Sequence, residues 1–140
     1  MHLNDLPDGL LVYGDVSFRG KCPLESQEQV TFFNQLRRQY PDTLGRIALH
    51  PRNEQQLRGG QFGRLAKHKA EGMTPGASDI IIPARIAFVC ELKRLDHTKS
   101  KWQDGQIEYL TASHDAGAFA CVALGWESAW QALQDWQALP

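Results

Sequence analysis

Two short apolar runs joined by a tight link constrain this chain more than any other feature, because three charges stand inside them. Residues 76–93 read GASDIIIPARIAFVCELK. Ser78–Ile82 and Ile86–Arg94 are rich in β-branched and apolar residues, the composition of strands. The link Pro83-Ala84-Arg85 is short enough that the two runs are predicted to pair as a hairpin. Asp79, Glu91 and Lys93 interrupt that apolar hairpin. Residues two apart in a strand share a face, so Glu91 and Lys93 project side by side. Folding the hairpin brings Asp79 across from the Glu91 end of its neighbour. Two carboxylates and one ammonium then converge at one edge of the sheet.

Burying such groups without partners costs several kcal/mol. Two carboxylates alone repel, and one of them has its pKa raised. A divalent cation relieves that repulsion. Hard oxygen ligands suit Mg²⁺ or Mn²⁺, with the remaining positions left to water and a substrate phosphate. A neighbouring lysine stabilises charge developing on a phosphate, or orients and helps deprotonate an attacking water. The same spacing also fits an ordinary ion pair at a strand end, Glu91 with Lys93 or Asp79 with Arg85.

The rest of the chain supplies an α/β setting. In residues 25–40, Val30, Phe33, Leu36 and Tyr40 recur at helical spacing and Pro41 ends the pattern. Arg46–His50 (RIALH) reads as a short strand, and Gln61–Lys69 as a short helix between glycine-rich hinges. Residues 101–116 read as a helix with Ser100 as its N-cap and Gly117 just past its end. Ala118–Leu124 reads as a buried strand. Residues 126–138 read as a last helix with Ala129, Trp130, Leu133 and Trp136 facing inward. The order α-β-β-β-α-β-α predicts one mixed sheet flanked by helices, antiparallel at the hairpin and parallel across the later crossover. Residues 1–24, with a short strand near Leu10–Tyr13, read as an N-terminal arm, and 25–140 as a single domain.

Composition narrows the classes. Hydrophobic residues are 42% and charged residues 22% of the 140, as in a soluble globular domain of ordinary size. No apolar run reaches membrane-spanning length, and the first residues do not read as a signal peptide, so a cytoplasmic protein is expected. A net charge of −1 argues against a tail-driven nucleic-acid binder but leaves room for local basic patches. Cys22, Cys90 and Cys121 lack metal-ligand spacing and read as reduced thiols. His50, His68, His97 and His114 form no ligand set. No organic cofactor is expected.

The order Glu25-x3-Gln29, His50-Pro-Arg-Asn53-Glu54, Glu71-Gly72-Met73-x-Pro75-Gly76-Ala-Ser-Asp79, Cys90-Glu91-Leu-Lys93-Arg94, then Gln106 with Tyr109-Leu110, and a closing Gly117…Val122…Gly125-Trp126…Ala129, is more specific than any single piece. It resembles the PD-(D/E)XK nuclease superfamily with its restriction-endonuclease-like core. More narrowly, it resembles the VRR-NUC nucleases over about residues 25–138. Ser78 stands where the superfamily often has a proline. The resemblance implies Asp79 and Glu91 as metal ligands with the Leu92 carbonyl as a third, and Lys93 as the catalytic lysine. It implies Glu25 completing the acidic cluster directly or through water, with Glu28 its rival, and Gln106 positioning water or phosphate. It further implies a Mg²⁺- or Mn²⁺-dependent endonuclease acting on DNA, above all branched DNA such as four-way junctions. Cutting two strands of a symmetric junction asks for two active sites, hence a homodimer.

Arg58, Arg64, Lys67 and Lys69 sit in the glycine-flanked segment before Asp79, and Arg94, Lys99 and Lys101 follow the lysine of the motif. Each is a candidate phosphate contact, because neutralising phosphates releases counterions. Glu54 is a further acid near the first strand. Two other readings remain at this stage. One is a DNA-binding module that keeps a nuclease-like fold without catalysis, and the other a DNA nuclease or nickase without junction preference.

Overall fold

The longest apolar runs end up in the middle of a four-stranded mixed sheet in the computed structural model, which describes residues 1–51 and 62–140. The strands are Leu11–Tyr13 (β1), Ile80–Ile82 (β2), Phe88–Lys93 (β3) and Phe119–Leu124 (β4), ordered β1-β4-β3-β2. β2 and β3 pair antiparallel, while β3 runs parallel to β4 and β4 parallel to β1. Every residue of β3 is buried, which explains why an inner strand reads as a continuous apolar run rather than an alternation.

Strand parity sorts the two faces. Ile80, Ile82, Phe88, Cys90 and Leu92 pack against helices Glu25–Gln39 (α1) and Trp126–Gln137 (α5). Val89, Ala120 and Val122 pack against Leu110 of the helix Gln106–Asp115 (α4) on the other face. Asp79, Ile81, Glu91 and Lys93 share the parity of Val89, which puts the three charges on the α4 side. Helix α4 also makes the crossover between the parallel strands β3 and β4.

Several local expectations give way to tertiary packing. Arg46–His50 is not a strand: Leu44–Ile47 forms one helical turn (α2), and only Leu49 pairs with the sheet, through a bridge to Ile81 on the outer edge of β2. The helix expected over 101–116 starts at Gln106, because Gly105 before it takes φ +87° and residues 101–105 stay irregular. Ser100 caps nothing there; it follows the 3₁₀ turn His97–Lys99. Val30 is 59% exposed despite its helical register, while Glu28 is buried, its carboxylate accepting the Trp126 N–H at 2.6 Å at the start of α5. Phe32, Phe33 and Leu36 carry the apolar face of α1. In α5 it is Ala129, Ala132 and Leu133 that are buried, with Trp126, Trp130 and Trp136 half-buried around them. Cys90 and Cys121 are buried free thiols on neighbouring strands.

The N-terminal segment is part of this fabric. β1 extends the sheet beyond β4, and the chain then runs back along residues 94–102. The Gly20 N–H donates to Asp96 Oδ2 at 3.0 Å, and His97 Nε2 lies 3.0 Å from the Val16 carbonyl. Bonds from the Thr98 hydroxyl and then from Gly20 hold the Asp96 carboxyl down at about 2. Residues 62–70 form a basic helix (α3) leading toward Asp79. Among the described residues, no helix is long and apolar enough to cross a membrane.

Candidate active site

Asp79 stands just before β2, where the sheet opens. The last β2–β3 pair is Ile80 with Cys90; two residues on, the Leu92 N–H donates to Asp79 Oδ2 at 2.9 Å. His50 Nδ1 lies 2.9 Å from the Asp79 carbonyl and 4.0 Å from Oδ1. A carbonyl only accepts, so in this contact Nδ1 is the donor. The Asp79 side chain keeps 20% exposure, the opening of the site to solvent.

Glu91 and Lys93 are each 1% exposed. Lys93 Nζ lies 3.3 Å from Glu91 Oε1 and donates to the Lys101 carbonyl and to Gln106 Oε1, both at 2.8 Å. Three acceptors match the three N–H bonds of an ammonium, and the Trp102 ring sits 4.9 Å from the charge. Gln106 Oε1 also accepts the Gln103 N–H at 2.9 Å, which fixes its amide. Glu91 Oε2 is different: it is buried and has no hydrogen-bond partner among the described residues. A buried carboxylate oxygen left without a partner costs its desolvation in full.

Electrostatics points the same way. Burial drives the Glu91 carboxyl well above the usual range, with the charge of Asp79 adding to it and Lys93 opposing. Burial likewise raises Asp79, partly offset by the Leu92 N–H, His50 and Lys93. Glu25 raises both, so its charge acts on the same spot. Its Oε1 accepts the Ser100 hydroxyl at 2.7 Å, and Ser100 Oγ in turn accepts the Arg94 N–H at 3.0 Å. Glu25 therefore lies beside the cluster, while Glu28 is committed to α5.

The cations divide. Arg94 is tied to the Pro23 and Cys22 carbonyls at 3.0 and 2.7 Å, and Lys99 to the Gly20 carbonyl at 2.7 Å, so both hold the N-terminal segment. Lys101 contributes its carbonyl to Lys93 and leaves its own side chain exposed. Arg64, Lys67 and Lys69 are exposed on α3, Lys67 at 3.8 Å from Glu71. Arg58 and Glu54 lie outside the described residues. If these cations contact nucleic acid, as the motif resemblance implies, replacing Arg64, Lys67 and Lys69 together is expected to weaken DNA binding and flatten its salt dependence, each lost phosphate contact lowering the log–log slope by about 0.9. Equal slopes for variant and parent in anisotropy titrations would make α3 a plain solvated face.

Sequence reasoning did not assign roles to His50, Trp102 or the Lys101 carbonyl. The sequence marks His50 as part of the motif His50-Pro-Arg-Asn53-Glu54 and as one histidine of no ligand set, not as a partner of Asp79. The other two lie in the irregular segment 101–105, where no periodicity marks which groups turn inward.

A sheet that opens at an acid–acid–lysine cluster, with helices on both faces, defines an α/β domain of the restriction-endonuclease-like type. Among solved structures, one described as a VRR_NUC domain protein is similar to this chain, with a TM-score of 0.64 and 22% identity over 84% of this chain and 89% of that one. The VRR-NUC fold suggested by the motifs is therefore the fold of this chain. No protein-family model and no curated protein matches the sequence.

Proposed function

We propose that this protein is a Mg²⁺- or Mn²⁺-dependent endonuclease that hydrolyses DNA phosphodiesters. The observation that carries the reading is the pairing of Asp79 with a buried Glu91 whose Oε2 has no partner among the described residues. Among the described residues no three His, Cys, Asp or Glu side chains are grouped so as to hold a metal ion by themselves. Mg²⁺ takes one or two carboxylates and completes its shell with water and substrate oxygens. Asp79, Glu91 and the Leu92 carbonyl would hold the ion, with Glu25 joining directly or through water. Bound there, it would supply Lewis-acid polarisation of the scissile phosphate.

The chain's own groups do the rest. Lys93, held as an ammonium by its acceptors, offers a fixed positive charge to a phosphate oxygen. Gln106 keeps that ammonium aimed and can orient a water. Glu25 keeps the local charge negative, and the exposed cations of α3 and Lys101 attract the backbone. The VRR-NUC likeness supports a preference for branched DNA. A symmetric junction offers two equivalent strands, so the reading includes a homodimer. A sedimentation coefficient of a monomer on junction DNA would remove that part.

The test uses stability. Asp79 and Glu91 have folded pKa values above their ordinary ones. Their favourable contribution is present below those ordinary values and is lost as pH rises through the raised ones. At neutral pH, without metal, the pair is a stored cost. Asp79→Asn removes one charge, keeps an acceptor for the Leu92 N–H and leaves the Glu91–Lys93 pair intact. In EDTA at pH 7–8 it should melt a few degrees above the parent, roughly 1 kcal/mol. The gain should fade toward pH 4. Mg²⁺ or Mn²⁺ should raise the melting point of the parent and not of the variant. Equal metal shifts in both would contradict the assignment.

A further inference from the structure

Beside the acidic cluster, on the same face of the sheet, lies a cleft of about 440 Å³ that the hydrolytic groups do not use. Its walls are Met73, Ile81 and Tyr109, and its rim carries His68, Glu71 and Thr74. Ile81 is two residues beyond Asp79 in the strand, about 7 Å along it and on the same side. Tyr109 stands on α4 one turn after Gln106, the residue that holds Lys93. The cleft thus opens next to where a scissile phosphate would sit. The end of α3, whose His68 stands at the rim, also carries exposed Lys67 and Lys69.

Apolar walls, one of them an aromatic ring, with a few polar groups at the rim, suit a flat heteroaromatic ligand whose edge hydrogen-bonds. Cations on the adjoining helix suit a ligand attached to a phosphate chain. We propose that this cleft takes one unpaired nucleobase next to the bond being cut, stacked on Tyr109. The proposal rests on the nuclease reading and deepens it. A base in a duplex must be unstacked and unpaired to enter, at a cost of a few kcal/mol; that cost is smallest where stacking or pairing is already interrupted, as at a flap or a strained branch point. The cleft then selects the substrate's structure by what it excludes.

The experiment is a binding cycle in EDTA, read by fluorescence anisotropy, on branched DNA carrying a single abasic site at each position around the branch. For the parent chain, one abasic position should lower affinity roughly tenfold, the scale of one base–aromatic stack. Tyr109→Leu should lose the same factor on intact DNA and lose nothing more at that abasic position. Tyr109→Phe should behave as the parent. Because Tyr109 also packs on the core, Thr74→Trp, which fills the mouth from an exposed loop position, provides a second arm with the same expected loss. An abasic penalty that is absent, or that persists unchanged in Tyr109→Leu and Thr74→Trp, overturns the base site. Metal-dependent cleavage in that case leaves the nuclease reading standing. A chain that binds none of these DNAs overturns both.

Discussion

Replacing Lys93 with methionine is expected to lower single-turnover cleavage by roughly 10²–10³-fold, the usual effect of removing one preorganised charge from a reacting centre. DNA affinity should change only a few-fold, because Lys93 is 1% exposed and faces the cluster rather than a broad surface. Methionine is the better variant than alanine. It keeps the stem that fills the space under Trp102, so the loss reports the charge and not a cavity. Some destabilisation is expected as well. The variant removes the cation paired with Glu91 and strips one partner each from Gln106 and the Lys101 carbonyl. Arginine should not rescue, since a rigid planar fork cannot place donors on three acceptors arranged around one point. Cleavage by Lys93→Met at close to the parent rate would remove the lysine from the chemistry.

The second large effect is expected from Gly76→Ala. Gly76 takes φ +77°, and a Cβ there would lie 2.1 Å from the carbonyl carbon of Gly105 and 2.5 Å from the Gln106 nitrogen. The chain leading to Asp79 therefore presses directly on the start of α4. This contact brings Asp79 and Gln106 into one site although 26 residues separate them. Left-handed strain costs about 1–2 kcal/mol, and backbone overlap adds to it, for roughly 3 kcal/mol or more in total. A fall of about 10 °C or more in the melting point is expected. Gly117→Ala is the control. Its φ of +97° is just as restrictive, but nothing lies within 4 Å of the added carbon, so it should cost only about 1 kcal/mol. Similar losses for the two variants would mean that strain alone, and not the contact with α4, governs Gly76.

The part of the site carried by the hairpin was legible because a strand has a period of two. Glu91 and Lys93 had to share a face, and a short link had to bring Asp79 back toward them; that link spans residues 83–87, two longer than Pro83–Arg85 alone, and pairs Ile82 with Phe88. Residues 126–137 were legible for the same kind of reason, a strong period ending at defined signals. What escaped depends on distant partners. RIALH reads as a short apolar strand, but of its residues Leu49 alone bridges to the sheet. Ser100 resembles an N-cap until Glu25 and Arg94 claim its hydroxyl. Glu28 looks like a solvated acid or a site residue until the N–H of Trp126, 98 positions later, takes its carboxylate. Arg94 and Lys99 look like unattached cations until the carbonyls of Gly20, Cys22 and Pro23 accept from them. None of these pairings leaves a local pattern.

The account turns on Asp79 and Glu91 being the centre of metal-dependent strand cleavage. The most direct measurement is a panel of single-stranded, duplex, nicked, flap and four-way junction DNA. Each is incubated with the parent chain and with Glu91→Ala, in Mg²⁺, Mn²⁺ or EDTA, and products are resolved at single-nucleotide length. The account predicts cleavage by the parent in either metal, strongest on the branched substrates, none in EDTA and none by Glu91→Ala in any condition. Cleavage by Glu91→Ala at the parent rate, or no metal-dependent cleavage of any substrate by the parent, would contradict it.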